Sequence, residues 1–193
     1  MLTGPSELVE RARAWSLHGM SRDAYNRYSA EGSWRYDILL PGFKYNLPEL
    51  QGAMGVVQLR RLPALMARRR ALVERYHCGF AQLEEVELPT ERDHVESAWH
   101  IYALRLHAEM LHIGRDRFIE ELRALHIGTS VHFIPVHQMS YYRNRYGYTP
   151  KQLPVASREF ERLISLPLNT RMSDQDVDDV IEAVSLVVGR HRR

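Results

Sequence analysis

The sequence has little cysteine and no long apolar run. Cys78 is the only cysteine in 193 residues, which excludes an internal disulfide framework and a zinc site built on cysteines. No apolar run approaches the ~20 residues that a membrane-spanning helix needs. The first turns of the sequence carry acidic and arginine side chains where a secretory leader would have an apolar block. We therefore expect no membrane partner and a cytoplasmic location.

A strong excess of either charge is also lacking. The 26 Lys and Arg residues nearly balance the 24 Asp and Glu residues, so the formal net charge is +2. Five arginines between positions 60 and 70 could in principle bind nucleic-acid phosphates. Acidic residues dilute this stretch and no aromatic side chains are interleaved with it, which favours a solvated helix face. We expect no nucleic-acid partner.

The hydrophobic pattern predicts helices that pack on a small sheet, an α+β arrangement. Apolar residues repeat with helical spacing in 5–19, 115–126 and 156–164. The last helix has the clearest start, because Ser173 and Asp176 form a capping box. Residues 99–106 are apolar on both faces and predict a central strand. Shorter strands are predicted at 129–133 and 165–168, since both are brief apolar runs.

The segment 41–47 predicts a possible anion site at a helix start. Asn46, with Glu49 three residues later, indicates a capped helix, and a second helix is predicted to begin near Pro63. Free N–H groups and the dipole at a helix start suit a phosphate, and Lys44 adds a positive charge. A plain capped helix with a surface lysine explains the same residues, because asparagine is a common cap.

A second candidate group lies in the irregular segment 132–148, which begins at the end of the strand predicted at 129–133. It contains His132, His137, Tyr141 and Tyr142, which could bind a polar substrate. The two histidines are five residues apart, a spacing of neither helix nor strand, and no carboxylate is near them in the sequence. We therefore expect no metal site. Packed or half-exposed histidines are the alternative interpretation.

An ordered series of short strings along the whole chain resembles the DegT/DnrJ/EryC1/StrS sugar aminotransferases, and most closely the branch that forms UDP-4-amino-4-deoxy-L-arabinose. The strings are Leu17-His18-Gly19-Met20-Ser21, Pro41-Gly42-Phe43-Lys44-Tyr45-Asn46-Leu47, Gln58-Leu59, Arg68-Arg69-Arg70, Ala98-Trp99-His100, Gly128-Thr129, His132-Phe133, His137, Tyr141-Tyr142 and Ser165-Leu166-Pro167-Leu168.

The resemblance implies the C-terminal small domain of a fold-type I transferase that uses pyridoxal phosphate (PLP), with the last elements of the large domain. Its helices would pack on a small, mainly antiparallel sheet. The implied division is 1–46 for the end of the large domain and the active-site loop, 47–88 for long interdomain helices, and 89–193 for a small α/β domain.

The resemblance also implies the activity and the partners. Relatives move an amino group, typically from glutamate, to a keto nucleotide sugar, and they are homodimers with shared active sites. Neither Lys44 nor Lys151, the only lysines, falls at the Schiff-base position, so no catalytic residue is expected in this chain and it would be inactive alone. It would associate with a second copy or with a missing N-terminal PLP-binding half. A truncated paralogue that binds or dimerises without catalysis is the alternative.

Residues can be carried over from the family one by one. Three residues match the contact made across the dimer to the PLP phosphate: Asn46, Lys44 and Tyr45. Four match the region that lines the nucleotide-sugar pocket: His132, His137, Tyr141 and Tyr142. Trp34 and Arg35 lie in the variable loop that relatives direct toward the substrate.

Overall fold

The computed structural model describes residues 4–21 and 37–193. The chain divides into two compact units, Met1–Arg60 and Arg61–Arg193. The first unit contains helix α1 (Ser6–Ser16) and the beginning of helix α2 (Glu49–Phe80), which continues into the second. No helix in the described part of the chain is long and apolar enough to cross a membrane.

Helix α2 is one continuous helix of 32 residues, so the prediction of two helices is wrong. Pro63 lies inside it. A proline removes one helical hydrogen bond except in the first turn, so Pro63 predicts a helix start. The residues around Pro63 are mostly leucine, arginine, alanine and methionine, which have high helix propensity. These neighbours favour the helical conformation on both sides of Pro63, and the helix continues through it.

The second unit contains a three-stranded antiparallel sheet. Its strands are β1 (Val86–Glu87), β2 (Tyr102–Leu106) and β3 (Leu163–Leu166), in the order β1-β2-β3, which confirms the predicted central strand. The strand predicted at 129–133 is reduced to a single bridge between Ser130 and Ser165. Beyond this bridge, His132 meets Ser165 through its side chain, so backbone pairing does not extend.

Four helices complete the second unit: α3 (Arg115–Ala124), α4 (Ser140–Tyr146), α5 (Pro154–Arg162) and α6 (Asp174–His191). Single 3₁₀ turns occupy Ala108–Met110, Val136–Gln138 and Pro150–Gln152. The capping box predicted for α6 is confirmed. The Asp176 N–H donates to Ser173 Oγ at 3.1 Å, and the Ser173 N–H donates to Asp176 Oδ2 at 2.7 Å.

The core of the second unit is aromatic where α2 packs against β2. The rings of Tyr76 and Tyr102 are fully buried, with centroids 4.7 Å apart, and Phe80 lies 5.7 Å from Tyr76. Tyr76 Oη donates to the carbonyl of Pro167 at 2.8 Å. Burial raises the pKa of both phenols, because it disfavours the charged phenolate. Both tyrosines therefore stay neutral and act as packing residues.

Helix α6 carries a buried valine stripe and is tied to α2 by ion pairs. Arg75 makes two hydrogen bonds of 2.6 Å to the Asp178 carboxylate, which lowers the pKa of Asp178. Arg68 donates to Asp174 at 2.8 Å. These pairs are partly solvated and contribute little stability. The stabilising contact is the buried stripe, which consists of Val177, Val180, Val184, Val187 and Val188.

The two helices approach each other closely at Gly79. A Cβ atom on Gly79 would lie 2.5 Å from Cδ1 and 2.8 Å from Cγ2 of Ile181. Isoleucine is branched at Cβ, so its Cγ2 cannot move away without changing the main rotamer. Glycine is therefore required sterically at this position of α2.

We predict that Gly79→Ala destabilises the protein by about 1–3 kcal/mol, because the added methyl group overpacks the contact with Ile181. Gly189→Ala is the matched control, since Gly189 lies within α6 and nothing lies within 4 Å of its would-be Cβ. The control should be neutral or more stable by up to ~1 kcal/mol. Urea unfolding measures both, and equal effects of the two substitutions would contradict the close crossing.

His77 is a half-buried histidine on the same face of α2 as the aromatic core. Its ring centroid lies 5.6 Å from that of Tyr102 and 5.9 Å from that of Trp99. The ring hydrogen-bonds to the backbone of Pro89, whereas Nε2 is buried with no partner among the described residues. Desolvation lowers the pKa of His77 and outweighs the Pro89 hydrogen bond and the charge of Glu74. The neutral ring is therefore the form that the fold stabilises.

We predict that His77 makes the protein less stable in mild acid. The unfolded histidine takes up a proton below about pH 6.5, before the folded one does, so stability falls from that pH down to the lowered folded pKa. His77→Asn retains a donor for the Pro89 carbonyl and removes this titration. The free energy of unfolding, measured between about pH 7.5 and about pH 5.5, should fall more steeply in the wild type than in the variant. Parallel curves would refute the assignment.

Candidate functional site

The first candidate group lies on a segment that backbone hydrogen bonds fix to the end of α1. The His18 N–H donates to the Phe43 carbonyl at 2.8 Å, and the Phe43 and Tyr45 N–H groups donate to the carbonyls of Trp15 and Ser16 at 2.7 Å. Further along, the Leu39 N–H donates to the Gly19 carbonyl at 2.8 Å, and the Ser21 N–H donates to the Asp37 carbonyl at 2.8 Å. Residues 37–45 are thus held by their own backbone.

Two glycines allow this pairing. Gly19 has φ +73°, a left-handed conformation in which a Cβ would lie 1.7 Å from the Leu40 carbonyl oxygen. A Cβ on Gly42 would lie 2.1 Å from the Gly19 nitrogen. Both obstacles are backbone atoms, so neither can turn away. The close approach needs glycine at both positions.

An aromatic stack on one face of this segment precedes Asn46. The rings of Trp15 and Phe43 stack at 5.6 Å, and those of Phe43 and Tyr45 at 5.0 Å. The outermost ring, Tyr45, is 74% exposed. Its exposed face leaves Tyr45 available to a ligand or to a neighbouring chain.

Asn46 is not the cap of α2, so that prediction is wrong. The helix begins at Glu49, and the Pro48 carbonyl accepts its first hydrogen bond, from the Gly52 N–H at 2.9 Å. Pro48 explains the difference, because the residue before a proline is kept out of the helical conformation and the helix cannot begin at Leu47. The Asn46 amide is therefore free of a capping role.

The donors of this segment fit a phosphate group. The side chains of Lys44 and Asn46 are exposed, and neither has a hydrogen bond or an ion pair to another described residue. An ammonium and an amide supply five N–H donors and only one acceptor, which is the donor set that phosphate oxygens require. Lys44 and Asn46 could hold the phosphate of a cofactor such as PLP, whereas nothing in this segment forms a pocket for its ring.

The second candidate group surrounds a cavity of about 330 Å³ in the second unit. His132 Nδ1 lies 2.9 Å from Ser165 Oγ at its wall, and His132 is half-buried. The other lining residues that carry polar side chains are His100, Thr129 and Ser130. This set can donate and accept hydrogen bonds and carries no fixed charge, which suits a hydroxylated ligand.

His137 is separated from this cavity lining. Its side chain is buried, and Nε2 lies 3.0 Å from Ser157 Oγ. Tyr141 and Tyr142 lie on α4, where they are 67% and 39% exposed. Their rings continue into a chain of aromatic contacts with Tyr146 and Tyr148, with neighbouring centroids 5.2, 6.3 and 5.6 Å apart. Of the four predicted substrate residues, only His132 lines the cavity.

The segment around α4 carries positive charge without acidic partners. Residues 122–158 contain no Asp or Glu. Arg143, Arg145 and Lys151 are exposed, and none of them has an ion pair with another residue in the described ranges. This surface is complementary to an anion.

Sequence reasoning missed Ser157 and Ser165 as members of these groups, and no local signal marks either serine. Trp34 and Arg35 lie outside the described residues. Within residues 4–21 and 37–193, no group of three or more His, Cys, Asp and Glu side chains could hold a metal ion.

Comparison with known proteins identifies relatives along the whole chain. The profile of the DegT/DnrJ/EryC1/StrS aminotransferase family matches residues 1–185. The chain is 43% identical over 190 residues to the uncharacterized protein MJ1066 of Methanocaldococcus jannaschii, which covers 98% of this chain and 49% of that protein. It is also 43% identical over 189 residues to the spore coat polysaccharide biosynthesis protein SpsC of Bacillus subtilis, covering 97% of this chain and 49% of SpsC.

Solved structures show the same relationship. The sugar aminotransferase Spr1654 of Streptococcus pneumoniae, in its PMP-form, superposes with a TM-score of 0.86 and 34% identity over 97% of this chain and 46% of that one. Its PLP-form superposes with a TM-score of 0.84. The chain therefore spans about half the length of the relatives it matches. The predicted fold class, with helices on a small antiparallel sheet of a fold-type I transferase, is confirmed.

Proposed function

The chain belongs to the DegT/DnrJ/EryC1/StrS aminotransferase family, and on that premise we propose that it is the C-terminal half of a PLP-dependent enzyme that aminates a keto nucleotide sugar. The sugar would enter a polysaccharide, lipopolysaccharide or antibiotic. The observation that carries the proposal is the match of nearly the whole chain to sugar aminotransferases, one of them solved in PLP- and PMP-forms. The name of SpsC supports a role in polysaccharide synthesis.

The role of the first candidate group would be to bind the cofactor phosphate across a subunit interface. When PLP is bound, it supplies the electron sink for amino transfer, and the protein supplies binding and orientation. Lys44 would place a positive charge on the phosphate, and Asn46 would donate a hydrogen bond to it. Tyr45 would pack beside them. The unpaired donors and the rigid backbone of this segment support these roles.

Neither of the two lysines in the chain is proposed as the reactive amine. In this proposal Lys44 binds the cofactor phosphate, and Lys151 is exposed at a 3₁₀ turn of the second unit. We infer that a segment outside these 193 residues supplies the reactive amine, and that this chain alone does not transaminate. Arginine cannot replace it, because the guanidinium stays protonated and is no nucleophile.

The second candidate group would bind the nucleotide sugar. The uncharged donors and acceptors around His132 and Ser165 suit sugar hydroxyls. Arg143, Arg145 and Lys151, which have no ion pair with another described residue, suit a diphosphate. Tyr141 and Tyr142 would contact the same substrate, and Trp34 and Arg35 remain proposed contacts on the variable loop. Glutamate is the proposed amino donor.

The first unit offers an apolar surface to a second copy of the chain. On α2, Leu50, Met54 and Val57 are 74%, 60% and 52% exposed and lie on one side at helical spacing. Leu47, just before the helix, is also 70% exposed. Contiguous apolar surface of this kind is rare on a monomer and marks an interaction site. We propose that two copies of the chain form a homodimer through this surface, which is next to Lys44 and Asn46 in the chain.

The cofactor role makes the following prediction. In the enzyme that contains this chain and the lysine-bearing segment, Lys44→Ala and Asn46→Ala should each weaken PLP retention by about tenfold or more, because each removes a hydrogen bond to a charged group. Lys151→Ala is the matched control and should retain PLP normally. Release of PLP during dialysis, followed by its visible absorbance, measures the effect.

Two results would change the proposal. Unchanged retention in both variants would contradict the phosphate contact while leaving the family activity in place. An enzyme that never takes up PLP, although it contains the lysine-bearing segment, would favour a non-catalytic paralogue that binds or dimerises.

The dimer surface makes a separate prediction. Sedimentation equilibrium should show twice the 22.6 kDa chain mass for the wild type. Leu50→Glu combined with Val57→Glu should give the monomer, since burying two unpaired carboxylates opposes association. Leu186→Glu, at a 42% exposed position of α6, should leave the dimer intact. A wild-type monomer would refute the surface assignment.

A further inference from the structure

Helix α4 is held almost entirely by its ends. None of its seven residues is buried, so it has no apolar face that fixes it to the core. At its two ends, the Arg143 N–H donates to the Met139 carbonyl and the Gly147 N–H donates to the Arg143 carbonyl, both at 2.9 Å. The position of α4 must therefore depend on the turns on either side, Val136–Gln138 and Pro150–Gln152.

Ser157 joins these two turns. On the first turn, His137 Nε2 lies 3.0 Å and Gln138 Nε2 3.3 Å from Ser157 Oγ. On the other side, Ser157 Oγ lies 3.0 Å from the Leu153 carbonyl and 3.3 Å from the Pro150 carbonyl. Ser157 and His137 are each only 6% exposed, so water does not compete for these bonds.

The hydrogen bonds of this cluster bear on which ring nitrogen of His137 carries the proton. A serine hydroxyl has one hydrogen and can accept two. When its hydrogen goes to the Leu153 or the Pro150 carbonyl, Ser157 Oγ accepts from both nitrogens of the first turn. In this arrangement His137 carries its proton on Nε2, since a bare Nε2 would face a hydroxyl oxygen whose hydrogen is already donated.

We propose that Ser157 and His137 are a positioning pair, which fixes the tyrosine-bearing helix α4 relative to the substrate cavity. His137 acts through Ser157 and does not itself contact the substrate. This inference rests on the proposed function only in its last step, that the exposed tyrosines of α4 meet the nucleotide sugar. The pair itself can be tested without any substrate.

The first test is amide hydrogen exchange on Ser157→Ala. The substitution separates the two turns, so amides of 139–148 should exchange at least tenfold faster, whereas those of β2 and α6 should not change. Ser157→Thr keeps the hydroxyl and should restore slow exchange. Ser185→Ala is the matched control, because it removes a serine hydroxyl that bonds only within α6, at 2.7 Å to the Ile181 carbonyl. Unchanged exchange at 139–148 in Ser157→Ala, or equal acceleration in the threonine variant, would overturn the proposal.

The histidine gives an independent test. His137→Gln retains an Nε2 donor and should keep α4 protected, whereas His137→Leu should expose it as Ser157→Ala does. The ¹⁵N chemical shifts of the His137 ring should report the Nε2–H tautomer at neutral pH. An Nδ1–H tautomer, or failure of glutamine to protect α4, would refute the assigned roles.

Kinetics of the complete enzyme separate this inference from the proposed function. If both hold, Ser157→Ala should raise KM for the nucleotide sugar several-fold and leave kcat nearly unchanged, because a displaced α4 weakens binding and not the chemical step. Faster exchange with an unchanged KM would contradict the positioning of substrate by α4, although the enzyme remained active. An enzyme inactive in the wild type as well would contradict the proposed function, while the exchange results would still decide whether the pair holds α4.

Discussion

The burial of Tyr76 against Tyr102 is the contact on which the second unit depends. It holds β2 against α2, and both other strands of the sheet pair with β2. Ala103 pairs with Ser165 on β3, and Ser165 in turn bridges Ser130. This backbone register places His132, at the cavity wall, beside Ser165. A site built on paired strands is positioned more rigidly than one carried by a loop alone. The position of the cavity wall is therefore determined by the packing of the core.

The sequence was sufficient wherever one local pattern decided the structure. The capping box at Ser173 and the valine stripe of α6 are both local, and they predict that helix correctly. Local rules failed where they competed. Pro63 alone predicts a helix boundary, but its neighbours favour a continuous helix. Asn46 alone predicts a cap, but Pro48 moves the helix start to Glu49.

The candidate site was harder to predict because its contacts join distant residues. His132 meets a serine 33 positions away, and His137 meets one 20 positions away. In sequence, the two histidines look equivalent. In the fold one lines a cavity and the other is buried in a serine-centred network, so their chemistry differs. Nothing in their local sequence predicts this difference. It arises because β3 places Ser165 beside His132, whereas α5 places Ser157 beside His137.

The two units differ in how they are stabilised. Every buried apolar side chain among the described residues lies between Leu72 and Val188, hence in the second unit. The described part of the first unit keeps its order through backbone hydrogen bonds, two close glycines and an exposed aromatic stack. Such bonds contribute little net free energy while water competes for them. The apolar surface formed by Leu47, Leu50, Met54 and Val57 must therefore be covered before this segment gains the stability of a core. Because Lys44 and Asn46 lie next to that surface in the chain, the proposed dimer would stabilise the proposed phosphate contacts as well.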